Sequence, residues 1–297
     1  MIENSKSYKI FTVINYIFIG LLALLCFLPL LHVFAQGLSS RAANDAGMVL
    51  FWPVDFTLEA YKYVLSDSGF VNATLVSVAR TAVGCVINLF FCIICAYPLS
   101  KSAERFPSRI VYVWFFMLCG IVSGGMIPAY LVVKNMGLLD TFWALVIPSA
   151  VPTGNIILML RFFRNLPKEL EEAAIVDGAS DLTIIRKIYI PCSKASIATI
   201  ALFQMVGHWN SWFDGMIYVN NAKLQPLATL LRALLQKDFN TLAEKTSNVE
   251  LLSKLLQLSN GSIKAAQIFI TMFPILCVYP FLQKYFAKGI VIGSVKG

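Results

Sequence analysis

The sequence predicts an all-α integral membrane protein of six transmembrane helices, and three observations carry that expectation. Six apolar runs are each long enough to cross a hydrocarbon core, which takes about 20 residues at about 1.5 Å of rise apiece. Of 297 residues, 58% are hydrophobic and only 13% charged, a balance too apolar for a soluble globule. The charges that exist stand mostly at the ends of those runs. Lipid offers the backbone no hydrogen-bond partner, so each run must satisfy itself as a helix.

In order, the spans fall at 13–35, 71–99, 110–133, 141–163, 197–219 and 265–286, in a single domain covering 1–297. The first follows Lys6 and Lys9 and ends in Val33-Phe34-Ala35, which resembles a signal-peptidase site. Its apolar run exceeds a signal core, so it reads as a retained signal anchor. The connection after the second span carries Lys101, Arg105 and Arg109, and the one after the fourth carries Arg161, Arg164, Lys168, Arg186, Lys187 and Lys194. The C-terminal end adds Lys284, Lys288 and Lys296, the last two in the tail 287–297, whereas the connection between the third and fourth spans holds only Lys134 and Asp140. That asymmetry places both termini and the segment 166–191 in the cytoplasm. It leaves 36–70 and 220–264 outside; the latter is long enough to escape the charge rule. Its stretches Leu224 to Leu235 and Leu251 to Leu258 are amphipathic at helical spacing and predict short helices over the outer mouth.

Several function classes are disfavoured by the same residues. The net charge of +8 is scattered over short connections and builds no basic face for nucleic acid. Seven cysteines, an odd number lying mostly in apolar runs, make no disulfide framework. Cys92 and Cys95 form a C-x-x-C inside an apolar run, where thiols serve as small packing groups. Gly120 and Gly125 have phosphate-loop spacing but lack the Lys-Ser/Thr that follows, so they read as small-residue packing within an apolar helix. The two histidines, His32 and His208, lie in different spans and no His, Cys or carboxylate set converges. No catalytic residue and no metal ligand is therefore expected. A self-contained secondary transporter, the alternative, would show inverted repeats or ionisable pairs near the midplane.

The segment 166–191 is polar and ordered. Pro167 followed by Glu169, Glu171 and Glu172 is a helix start, with acids where the macrodipole favours them. Gly178 breaks that helix, and a second runs from about Asp181 to Tyr189 before Pro191 opens the next span. Two short amphipathic helices with a glycine elbow make a knob suited to a partner's groove.

Glu172-Ala173-Ala174, three residues, Gly178, nine residues and Ile188-x-Ile190-Pro191 resemble the EAA motif of ABC importer permeases, with Ile190 in place of the usual Leu. Asn72-Ala-Thr, Ala96-Tyr-Pro-Leu-Ser, Ile127-Pro-Ala-Tyr, Met136-Gly-Leu, Trp209-Asn and the ending from Lys288 to Gly297 are similar to the maltose-type carbohydrate permeases, nearest those for alginate or pectin fragments. The resemblance covers 57–297 and implies the type I ABC importer architecture in a bacterial cytoplasmic membrane. It implies a second homologous permease, two cytoplasmic ATP-binding-cassette subunits that bind ATP and Mg, and an extracellular or periplasmic solute-binding protein. No cofactor is expected in this chain itself, and a non-sugar solute is the alternative cargo. Carried over, Glu172, Ala173, Ala174, Asp177, Gly178, Ile188 and Pro191 would couple to the ATPase, with Gly289, Gly293, Lys296 and Gly297 a second contact.

Two further groups of residues are candidates on their own chemistry. Trp209, Asn210 and Trp212 combine ring faces with an amide, as a sugar site would, and Tyr130, Asn155 and Gln204 are further pathway residues. Arg80 and Asp214 lie inside spans, where a bare charge costs several kcal/mol, so a structural ion pair is favoured over a substrate contact.

Overall fold

The computed structural model describes residues 6–236 and 258–294. The described residues are helical apart from connections, and their one extended pairing is an isolated bridge between Ser39 and Phe56. In chain order the helices are α1 (Lys6–Gly37), α2 (Arg41–Asp45), α3 (Glu59–Ser66), α4 (Ser68–Ser100), α5 (Arg109–Ile121), α6 (Met126–Asn135), α7 (Thr153–Arg164) and α8 (Lys168–Val176). They continue as α9 (Asp181–Ile184), a π turn (Ile185–Tyr189), α10 (Ile190–Cys192), α11 (Lys194–Asn210), α12 (Phe213–Tyr218), α13 (Leu227–Gln236) and α14 (Asn260–Ser294).

Three of these, α1, α4 and α14, are long and apolar enough to cross a membrane unbroken. The other three expected spans are interrupted. The stretch 110–133 is not one helix: α5 and α6 meet at 110°, because Ser123-Gly124-Gly125 ends α5 and Gly125 takes φ +84°. Gly120 and Gly125, expected within a helix, thus flank this break. The stretch 141–163 opens with two 3₁₀ turns, Phe142–Leu145 and Ile147–Ser149, before α7, at a bend of 49°. Pro148 and Pro152 account for it, since neither supplies a backbone N–H to the helical ladder. The stretch 197–219 divides between α11 and α12 at Ser211 and Trp212, and α11 itself leaves the preceding helical turns at 83°.

The described chain divides into two compact units. One comprises residues up to Val71 together with Leu231–Phe273. Its small core joins Ala35, Ala43 and Val49, with the Phe34 and Phe269 rings 4.7 Å apart and Asn44 donating to the Ser262 hydroxyl at 2.9 Å. The other comprises Asn72–Leu230 with Pro274 onward. Its main core packs Cys92, Ala96 and Leu99 of α4 against Ile156, Met159, Leu160 and Phe163 of α7, with Ile184, Tyr189 and Ile200. Of the two helices expected in the outer loop, the first is α13; the stretch 251–257 lies outside the described residues.

Candidate functional site: the elbow and the inner end of α4

The elbow forms because each of its ends is capped locally. In α8, Glu169 and Glu171 occupy the first turn, where the helix dipole favours carboxylates. At its end the Gly178 N–H donates to Ile175 O at 3.0 Å and the Ala179 N–H to Ala174 O at 2.9 Å, the paired bonds of a Schellman cap. Gly178 sits at φ +76°, with open space where a Cβ would stand. Two residues on, the Ser180 hydroxyl accepts from the Thr183 N–H and starts α9. The π turn at Ile185–Tyr189 then carries the chain to α10 and α11.

No residue of α8 is fully buried. Glu172 and Ala173 are exposed, as are the apolar Leu170, Ile175 and Val176, the last at 87%. Ala174 and Ile188 turn inward and pack on the core cluster. Asp177, the C-cap, and Pro191 are exposed.

What fastens α8 to the helices above it is a polar cluster. Lys101, 6% exposed just past α4, donates to Glu171 at 2.6 Å and to the Tyr189 hydroxyl at 3.1 Å, and its ammonium lies 3.5 Å from the centre of the Tyr97 ring. Tyr189 donates to the other Glu171 oxygen at 2.5 Å. Arg105 pairs with Glu171 through one guanidinium nitrogen and with Asp181 through the other at 2.7 Å; Tyr97 also donates to Asp181 at 2.7 Å. Burial lowers the Lys101 pKa even though Glu171 opposes that shift. Burial works to raise the Glu171 carboxyl, but hydrogen bonds from Lys101 and Tyr189 and the charges of Lys101 and Arg105 outweigh it and hold it below its usual value. The last carbonyls of α4 and its extension are capped by arginines, Arg164 donating to Leu99 O at 3.1 Å and Arg109 to Lys101 O. Cations at a helix C-terminus are electrostatically favoured.

Within the spans, α4 also serves the breaks in other helices. Asn88, fully buried, donates to Ser149 O at 2.6 Å and Ala150 O at 2.9 Å, carbonyls that the bend before α7 leaves without helical partners. Its own amide oxygen accepts from the His208 ring at 2.6 Å. That contact requires glycine at 84, where a Cβ would fall 2.5 Å from the imidazole. One helical turn earlier, Arg80, 1% exposed, pairs with Asp214 and donates to Ser211 O at 2.9 Å, at the break between α11 and α12. Asp214 further accepts from the Ser211 hydroxyl and the Gly215 N–H, both at 2.9 Å.

The remaining candidates do not converge on one site. Trp209, 6% exposed, lines a cavity walled largely by aliphatic groups, among them Val78, Leu202, Val206 and Ile275. Asn210 is exposed at the end of α11, and Trp212 meets Phe213 edge-on at 5.4 Å. Tyr130 stacks on Tyr218, with ring centres 6.3 Å apart. Asn155 is half-buried on α7, and Gln204 is buried with its amide nitrogen unpaired. Gly289 and Gly293 lie in the last turns of α14, while Lys296 and Gly297 lie outside the described residues. Sequence reasoning missed Asn88, Lys101, Arg105, Glu171 and Tyr189. The available signal was charge complementarity: a basic connection after the second span faces an acid-rich helix start after the fourth.

Residues 2–292 match the family of binding-protein-dependent transport system inner membrane components. The chain is 41% identical to Protein LplC of Bacillus subtilis (strain 168), over 99% of this chain and 98% of that one. It is 36% identical to the polygalacturonan/rhamnogalacturonan transport system permease protein YtcP of the same organism, over 97% and 99%. A solved chain from a bacterial ABC transporter involved in the import of the acidic polysaccharide alginate is similar with a TM-score of 0.85 and 34% identity, covering 95% of this chain and 98% of that one. The all-helical fold is accordingly that of a type I ABC importer permease, a transport component and not a catalytic one. On the match over nearly its whole length, the chain belongs to the binding-protein-dependent transport system inner membrane component family.

Proposed function

We propose that this chain forms one half of the translocation pathway of an ATP-driven importer for a carbohydrate, an oligosaccharide, and switches by alternating access. The observation that carries the reading is the elbow. It offers Glu172, Ala173 and the exposed apolar side chains of Leu170, Ile175 and Val176 on a helix with no buried residue. A short helix exposed to this degree, with apolar side chains on a polar connection, suits a partner's cleft. Six spans follow if each bent pair crosses once. Both termini and the elbow then lie inside, where the basic connections put them. A second permease completes the pathway, a separate ATPase pair holds ATP and Mg, and a binding protein delivers the sugar. The carbohydrate assignment draws on YtcP, whose name specifies polygalacturonan and rhamnogalacturonan transport, and on the alginate importer.

Reconstitution tests the proposal. The chain in liposomes with its partner permease, ATPase and binding protein is expected to take up labelled oligogalacturonate only with ATP. Purified alone it is expected to move no sugar and hydrolyse no ATP. Uptake by the isolated chain driven by an ion gradient would replace the importer reading with a secondary transporter.

A further inference from the structure

A helix pushed by a partner transmits force only if it cannot swivel. α8 is poorly fixed by packing, because it has no buried residue and ends at a glycine in the left-handed region. Left to those features, it would turn about Gly178. Side chains from a single segment, 97–105, bridge that pivot on both sides. Lys101 and Arg105 hold Glu171, the fourth residue of α8, while Arg105 and Tyr97 hold Asp181, the first residue of α9. Tyr189 closes the frame, linking Glu171 to Lys101 from the last residue of the π turn. The arrangement is also well enclosed, with Lys101 6% and the Glu171 side chain 14% exposed. Adjacent carboxylates therefore have separate surroundings: Glu171 is taken up within the chain, and Glu172 faces outward.

From this geometry we infer that Lys101, Arg105, Glu171 and Tyr189 form a rigid joint that makes the elbow and the inner end of α4 move as one body. Glu171 is then a positioning residue for coupling, distinct from the ATPase-facing Glu172. The inference rests on the importer reading, and it assigns the internal path of the stroke: from α8 directly to α4, bypassing the backbone of α9 to α11. A joint broken at Glu171 leaves the docking face of α8 in place but lets it move without carrying α4.

Distance measurement in the assembled transporter tests this. Spin labels are placed at Glu169→Cys and Ala103→Cys in a chain whose native cysteines are replaced, both positions being exposed, and the complex is measured nucleotide-free and trapped with ATP and vanadate. The expected result is one narrow distance, the same in both states to within about 2 Å, as for a rigid unit. Glu171→Gln and Lys101→Met are expected to broaden it about twofold or more, while Lys168→Met, which removes an exposed charge of α8 outside the joint, keeps the distribution narrow. Should Glu171→Gln not assemble, Tyr189→Phe removes one hydroxyl and keeps the ring, and partial broadening is expected. The joint is overturned if the unsubstituted chain changes its label distance by more than about 5 Å between states, or if the weakening variants that assemble stay as narrow as the parent. Failure of the wild-type chain to retain any ATPase subunit would instead reject the importer reading, so the two failures are distinct.

Discussion

Glu171 and Glu172 are neighbours in sequence and about 100° apart around α8, which is enough to give one a buried lysine and the other solvent. Removing the Glu171 charge leaves Lys101 enclosed without its counter-ion. Glu171→Gln is expected to cost about 2–3 kcal/mol, somewhat below the range for fully buried pairs, read as a lower unfolding midpoint in detergent. The pH dependence has a definite sign. A carboxylate whose pKa is lower in the folded state contributes stability that is complete above its unfolded value of about 4.3 and is lost as pH falls through the folded one. The midpoint difference between wild type and Glu171→Gln should therefore be flat from about pH 8 to about pH 5 and shrink only at lower pH. Arg80 and Asp214 obey the same logic within the bilayer. Asp214→Asn strands a guanidinium that is 1% exposed and is expected to destabilise by about 3–5 kcal/mol, whereas Arg80→Met with Asp214→Leu should recover much of that loss. Uptake by the double variant, compared with wild type, separates a structural pair from a solute contact.

At the scale of elements, the bounds of α8 were legible in the sequence because their determinants are local. Pro167, the acidic first turn and Gly178 each act within a few residues, and α8 begins and ends where they require, whereas Pro191, expected to open the next span, lies inside α10, and α11 starts at Lys194. Gly178→Ala meets no atom within 4 Å, so its cost is conformational alone, about 1–2 kcal/mol for a non-glycine residue at φ +76°. Faster proteolytic cleavage between α8 and α9, at unchanged overall helicity, is the expected sign. The broken spans were not legible. Hydropathy registers the apolarity of 110–133, 141–163 and 197–219 but not the donors that make interruption tolerable, and those donors are remote. Asn88 serves carbonyls 61 and 62 positions away and Arg80 one 131 away. Asn88→Leu should leave those carbonyls unpaired and loosen the turn before α7, seen as faster amide exchange over 147–156. The EAA resemblance likewise directed attention to Glu172, and nothing in a linear motif distinguishes the face of α8 that Glu171 occupies.

Over the whole molecule, the composition defined the solvent and the basic connections predicted an orientation. Single cysteines at 104 and 172 are expected to react with a membrane-impermeant thiol reagent only from the inner side of the membrane, and cysteines at 52 and 221 only from the outer. Labelling of position 172 from outside would reverse the topology. The joint at the inner end of α4 also has an unequal response to its medium. The Arg105–Asp181 strut lies open, with side chains 37% and 63% exposed, while the Lys101–Glu171 strut lies enclosed at 6% and 14%. Mobile ions weaken contacts between exposed charges and scarcely reach enclosed ones. Rising salt in the medium that bathes α8 would thus slacken the hold on α9 before the hold on α8, and ionic strength would act as a dial on the stiffness of this joint.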